Sequence, residues 1–229
     1  MNRWWRTRLD LRTIGYGARG AGGQGLVEFA LLVPVFLLIL LGMLEFGFAF
    51  NHNMTLEYAT REGARAGAAA ANGSMTDSSC VDPGTGAVKT FSASDVDPLI
   101  IASVERILKS PGSMVDLSKV ASITIYDANP DGTPISGKSD VWPLSIGTGA
   151  NVPCTGKPAQ PMDFAAPTSP PWLASSRLNS GTPDLLGVSI SYTYQFRSAL
   201  GGILRFFGGN GAASLAMTDR TVMALEPTQ

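Results

Sequence analysis

The sequence predicts an α+β protein in which a long N-terminal helix crosses a membrane, extends beyond it, and leads into a small exported domain. Two patterns carry this prediction: an unbroken apolar stretch near the N-terminus, and short alternating segments in the C-terminal half. Only 15% of the 229 residues are charged, below the roughly 25% of average soluble proteins. We expect one further helix and an antiparallel sheet in the exported domain.

Positive charge is concentrated before the apolar stretch. Residues 1–23 contain five arginines and one aspartate, whereas the rest of the chain is net negative. Basic segments stay on the cytoplasmic side of a membrane, so residues 1–23 are predicted to be a cytoplasmic leader and residues 72–229 to be exported. The exported part has no basic run, which disfavours nucleic-acid binding.

The apolar stretch predicts a single transmembrane helix over residues 24–50. As a helix, residues 26–50 would be about 37 Å long, enough to cross a hydrocarbon core of about 30 Å. The stretch is longer than the roughly 7–15 apolar residues of a secretory signal. We therefore expect it to be retained as an anchor in membrane lipid.

Three residues of this helix stand out. Glu28 and Glu45 flank 16 uncharged residues. Glu45 is interpreted first as a boundary residue whose carboxylate stays in water, with a role in assembly as the alternative. Pro34 removes one helical hydrogen bond, so a kink or local loosening is expected, and a role in bending or extracting the subunit is left open.

The junction before the helix reads Gly22-Gly-Gln-Gly-Leu-Val-Glu-Phe29. It resembles the processing site of type IV prepilins of the tight-adherence (Flp-type) class, which the peptidase cuts so that Glu becomes mature position five. For Glu28, this bond is Gly23–Gln24. Phe29 stands where the major pilins of that system usually carry Tyr.

Three motifs together resemble the N-terminal signature of the TadE-like pilus-assembly family, the minor pseudopilins of the tight-adherence system. They are Gln24-Gly-Leu-Val-Glu-Phe-Ala-Leu-Leu-Val-Pro34, Gly42-Met-Leu-Glu-Phe-Gly47 and Ala59-Thr-Arg-Glu-Gly-Ala-Arg-Ala66. The resemblance implies a pilin-like fold in the bacterial inner membrane. It also implies partners, namely prepilin peptidase, other pilins or pseudopilins, and the assembly platform. By family precedent, Glu28 would offset the positive N-terminus of a neighbouring subunit.

Beyond the membrane the helix is predicted to continue over residues 51–71. This segment is rich in alanine and contains oppositely charged pairs at helical spacing. Small residues recur every four positions, at Ala59, Gly63, Gly67 and Ala71. This stripe is either a surface that another helix approaches closely during assembly or plain alanine-rich helix.

The exported domain begins with a predicted loop over residues 72–92 and a helix from Ser94 to about Lys109. Strands are predicted at 118–126, 187–196 and 213–225, the last with a bulge near Asp219-Arg220, and a short strand near 141–146. The Pro-rich segment 153–171 is expected to be an extended surface loop. Residues 200–209 are interpreted as a loop that covers the core, or alternatively as a contact with membrane or a partner.

Chemistry-bearing residues are sparse. Cys80 and Cys154 lie beyond the predicted span, and an oxidising compartment would favour a disulfide between them, with two free thiols as the alternative. His52 is the only histidine and is expected to be solvated where the helix leaves the membrane. No catalytic, metal or cofactor motif is found, so no enzyme activity is predicted. The alternatives are an unprocessed single-pass scaffold of a secretion system that binds a partner and, more weakly, a membrane-tethered enzyme.

Overall fold

A computed structural model of the chain describes residues 21–73, 76–81, 88–149 and 162–226. It confirms the predicted α+β class, with a long apolar helix followed by a four-stranded antiparallel sheet. The helices are α1 (Ala21–Ala70), α2 (Ala93–Leu108) and α3 (Ala199–Gly208). The strands are β1 (Thr76–Val81), β2 (Val88–Thr90), β3 (Val120–Ala128), β4 (Pro134–Pro143), β5 (Leu185–Gln195) and β6 (Ser214–Ala224). Most of the predicted leader, residues 1–20, lies outside the described residues.

Helix α1 is continuous over 50 residues and is not interrupted at Pro34. Its apolar first half and alanine-rich second half both favour helix. It ends at Ala70, after which Ala71 has a φ of 47° and Gly73 a φ of 99°. A Cβ at Gly73 would lie 2.7 Å from the backbone nitrogen of Ala93, so the turn toward α2 requires glycine there.

The main sheet has the strand order β4-β3-β5-β6, and all its pairs are antiparallel. The pairing of β5 with β6 is regular from Leu185↔Ala224 to Gln195↔Ser214. The predicted bulge near Asp219-Arg220 is therefore wrong. The apolar and polar residues of β6 alternate irregularly for a different reason. Asp219 is polar but is directed at α1, where its carboxylate accepts a hydrogen bond from the hydroxyl of Thr60.

A two-stranded antiparallel sheet, β1–β2, lies within residues 72–92, where a loop was predicted. Thr76 pairs with Thr90, and Asp77 pairs with Lys89. The loop prediction rested on Gly, Ser, Thr and Asp, which are depleted in strands. Pairing of backbone groups does not require apolar alternation, so this composition did not reveal the strands.

The second half of α1, which follows the apolar stretch, packs against α2 and the sheet. A Cβ at Gly63 would lie 2.5 Å from Cγ2 of Val104, and one at Gly67 would lie 2.7 Å from Cδ1 of Ile100. The helix that approaches the small-residue stripe is therefore the chain's own α2. Both glycines are buried, so neither is open to a neighbouring subunit in this fold.

Part of the Pro-rich segment packs onto the core, in contrast to the predicted surface loop. Met162 and Phe164 are buried, and Phe164 forms a bridge with Leu144. Further along, the fully buried guanidinium of Arg177 lies 2.6 Å from Asp97 on α2 and 4.3 Å from the centre of the Trp172 ring. These contacts hold the segment that follows the predicted loop. Residues 153–161 of that loop lie outside the described part of the chain.

Strand β5 runs antiparallel along α1. Leu186, near the start of β5, packs at Gly67, and Val188 packs at Gly63, one turn back along α1. Tyr194, near the end of β5, reaches Glu45. The end of β5 therefore lies closest to the apolar N-terminal half of α1, and the connection from β5 to β6 emerges at that end of the domain.

Candidate assembly site

The N-terminal part of α1 is not covered by any other described part of the chain. From Gly23 to Leu44 no side chain is buried, and Leu31 is 70% exposed. We call these residues the bare segment. Their 22 positions correspond to about 33 Å of helix, close to the roughly 30 Å thickness of a hydrocarbon core. Among the described residues, α1 is the one helix long and apolar enough to cross a membrane.

Glu28 carries the only charge of the bare segment. It is exposed, and its carboxylate accepts a hydrogen bond from the side-chain amide of Gln24, 3.0 Å away and one turn earlier. Phe29 beside it is 67% exposed. A Cβ added at Gly23 would meet nothing within 4 Å. The predicted processing residues therefore lie together on an accessible stretch of helix.

Glu45 is the first buried residue after the bare segment, with 3% exposure. The prediction that its carboxylate stays in water is wrong. The carboxylate accepts hydrogen bonds from the hydroxyl of Tyr194 and from the backbone N–H groups of Arg197, at 2.7 Å, and Ser198, at 2.9 Å. Several donors replace its lost water, and this makes a buried carboxylate tolerable.

This contact also fixes the start of α3. Ser198 is the N-cap of α3, and its side chain accepts a hydrogen bond from the N–H of Leu200. A negative charge beside a helix N-terminus is favourable, because the first N–H groups lack intrahelical partners. Glu45 therefore joins α1 to both β5 and α3.

His52, two turns after Glu45, is fully buried, so the prediction that it is solvated is wrong. Its Nδ1 lies 2.7 Å from the carbonyl oxygen of Phe48. Its ring lies between Tyr192 and Tyr194, with centroid distances of 5.7 and 5.0 Å. Burial, and then the Glu45 carboxylate, raise the pKa of Tyr194 above its ordinary value of 10.0, so this hydroxyl remains a hydrogen-bond donor at neutral pH.

Sequence reasoning did not identify Tyr194 or Ser198 as partners of Glu45. The signal available was the alternation of β5, which puts Tyr194 on the buried face, where a hydroxyl requires a partner. Nothing in the sequence indicates which residue is that partner, because Glu45 lies 149 positions away.

Residues 199–208 form α3, whereas a loop that covers the core was the first interpretation. Phe206 and Phe207 are 85% and 81% exposed, so they do not cover the core. The N-cap at Ser198 and the contact with Glu45 stabilise a helix in this glycine-containing segment.

The proposed disulfide joins Cys80 to Cys154, and Cys154 lies outside the described residues, so the structure gives the disulfide no support. Within the described ranges, no group of three or more His, Cys, Asp or Glu residues is arranged to hold a metal ion.

These features define a class of protein: within the described residues, one helix is long and apolar enough to anchor the chain in a membrane, and it continues into an α+β domain built on its second half. Comparison with known families adds to the description of this helix. Residues 23–65 match the family described as TadE-like protein, which confirms the resemblance drawn from the sequence motifs. The match suggests a component associated with the tight-adherence (Tad) pilus, since the TadE-like family consists of structural pilus-assembly proteins that are not known as enzymes. No curated protein and no solved structure matches the chain.

Proposed function

We propose that this protein is a minor pseudopilin of a tight-adherence (Flp-type) pilus system that acts by helix packing after prepilin peptidase cleaves the Gly23–Gln24 bond. The observation that carries the proposal is the bare segment, whose only charge, Glu28, lies one turn after that bond and is exposed. About 33 Å of uncovered apolar helix is suited both to lipid and to like helices.

Cleavage would give Glu28 a positively charged partner. It would free an α-amino group on Gln24, with a reference pKa of about 7.7–8, so that it is largely cationic at neutral pH. In apolar surroundings an isolated carboxylate is costly, whereas a paired one is tolerated. The present partner of Glu28 is a neutral amide that can rearrange at little cost, so the carboxylate is available to the N-terminus of a neighbouring subunit.

The residues predicted for assembly fall into two groups, according to whether they contact the chain's own domain. Glu28 and Pro34 lie in the bare segment and would contact neighbouring helices. Glu45, Gly63 and Gly67 contact the chain's own domain and would act by holding that domain on α1.

The topology follows from the charge order. Residues 1–23, with five arginines, would remain in the cytoplasm, residues 24–50 would span the bacterial inner membrane, and the domain would lie outside it. Its partners would be membrane lipid, prepilin peptidase, other pilins or pseudopilins, and the assembly platform.

The test is Glu28→Gln in cells that lack the native copy, with Glu57→Gln as the matched control. Glu57 is on the same helix beyond the bare segment and forms a surface ion pair with Arg61. We expect both variants at normal levels in the membrane fraction. We expect Glu28→Gln to lower pilus yield about tenfold or more, the effect of losing about 1.4 kcal/mol of pairing free energy. Wild-type pilus yield from Glu28→Gln would contradict the proposal.

A further inference from the structure

The connection between β5 and β6 lies at the end of the domain nearest the bare segment. Tyr194, at the end of β5, bonds to Glu45, the first buried residue after the bare segment. If the bare segment fills the hydrocarbon core, Glu45 lies at the membrane surface. The start of α3 lies there too, because the N–H of Ser198 is 2.9 Å from the Glu45 carboxylate.

Helix α3 presents apolar side chains that nothing in the described chain covers. Phe206 and Phe207 are 85% and 81% exposed, and their rings pack edge to face with centroids 5.1 Å apart. Ile203, one turn earlier, is 38% exposed. Two adjacent, largely exposed phenylalanines form an apolar patch of the kind that marks an interaction surface.

We infer that α3 is a second membrane contact, an interfacial helix that inserts Phe206 and Phe207 into the boundary between headgroups and acyl chains of the bilayer that α1 spans. The occupant of this surface is lipid, since the N–H of Ser198 at the start of α3 is hydrogen-bonded to Glu45, the residue at which the bare segment ends. Arg205 in the last turn is exposed and is placed to contact lipid phosphates, as in other interfacial helices.

This contact would restrict the motion of the domain relative to the membrane. A single spanning helix can tilt and rotate in the bilayer and carries its domain with it, whereas a second contact through α3 would fix one face of the domain toward the membrane. The inference rests on the membrane anchoring within the proposed function but not on cleavage or on entry into a pilus.

The test places the photo-crosslinker benzoylphenylalanine at one position at a time in the full chain, reconstituted singly in nanodiscs of phosphatidylethanolamine and phosphatidylglycerol. The positions are Phe207, Leu32 in the bare segment, and Leu178 as the matched control. Leu178 is 58% exposed. Its carbonyl oxygen accepts a hydrogen bond from the N–H of Asp184, which comes just before the start of β5 and therefore lies at the opposite end of the domain from α3. Lipid adducts are counted by mass spectrometry.

We expect lipid adducts at positions 32 and 207, with several-fold more at 207 than at 178. Adducts at 32 with equally low yields at 207 and 178 would overturn the inference and leave the anchor intact. Adducts to protein alone at position 207 in native membranes, with none to lipid in nanodiscs, would also overturn it and indicate a second chain as the occupant. Absence of adducts at 32 would contradict the membrane anchor itself.

Discussion

Tyr194, near the end of β5, donates a hydrogen bond to Glu45 on α1, although the two residues are 149 positions apart in the chain. The same carboxylate accepts hydrogen bonds from the backbone at Arg197 and Ser198. One side chain therefore joins the membrane helix to the sheet and to α3. This contact lies where burial of α1 begins, so it holds the end of β5 and the start of α3 against the apolar half of the helix.

Replacement of Glu45 should loosen this junction. In Glu45→Ala the Tyr194 hydroxyl and two backbone N–H groups lose their acceptor, and buried groups without partners are costly. We expect the free energy of unfolding to fall by about 2–3 kcal/mol, measured by denaturant titration in detergent micelles. The control is Glu57→Ala, which removes only a surface ion pair and should cost about 0–1 kcal/mol. Equal losses for the two variants would contradict the proposed junction.

Replacement of Gly63 tests the close approach of α1 and α2. The added methyl group in Gly63→Ala would lie 2.5 Å from Cγ2 of Val104, a β-branched residue fixed on a buried helix face. We expect a loss of about 1–3 kcal/mol of stability, read from the same denaturant titration. Gly47→Ala is the control, because its Cβ would meet nothing within 4 Å, and alanine favours helix there. If Gly63→Ala were as stable as Gly47→Ala, the packing described for the stripe would be wrong.

Acid should weaken the attachment of the segment around Asp163. Burial raises the pKa of this carboxyl, but Lys109 and the N–H of Gly147 outweigh burial and hold the pKa below its ordinary value of 3.8. A pKa that is lower in the folded state means that ionised Asp163 stabilises the fold above about pH 3.8, and that this stability is lost as pH falls through the folded value.

The measurement compares the wild type with Asp163→Asn by denaturant titration over a pH series. We expect a constant stability difference from about pH 7 down to pH 5, and a shrinking one below about pH 4 as the wild-type carboxyl gains its proton. A difference that does not change across this range would show that Asp163 contributes no charge-dependent stability.

Elements with a local pattern were predictable from the sequence. The apolar stretch of α1 and the alternation in β5 each follow from the chemistry of consecutive residues, and Val188, Ile190 and Tyr194 are buried as the alternation requires. The strand predicted near 141–146 is the end of β4, which begins earlier, at Pro134, and ends at Pro143. Polar residues in its first half concealed that start.

Features set by distant contacts were not predictable. A carboxylate near the end of an apolar helix is ordinarily wet, and Glu45 is buried because donors from residues 194–198 surround it. His52 is buried for the same reason, since Tyr192 stacks on its ring and Tyr194 packs against it edge to face. In α3 the sequence shows apolar residues and glycines but not the N-terminal contact that makes the segment helical.

Processing at the Gly23–Gln24 bond is tested most directly by the mass and N-terminal residue of the protein expressed with and without its cognate prepilin peptidase. Gly23→Ala is the test variant and Gly25→Ala the matched control, since neither Cβ would meet an atom within 4 Å and both substitutions preserve the helix. We predict that the wild type and Gly25→Ala lose residues 1–23 only when peptidase is present, and that Gly23→Ala retains them. An intact leader in every case would contradict processing and favour an unprocessed single-pass scaffold.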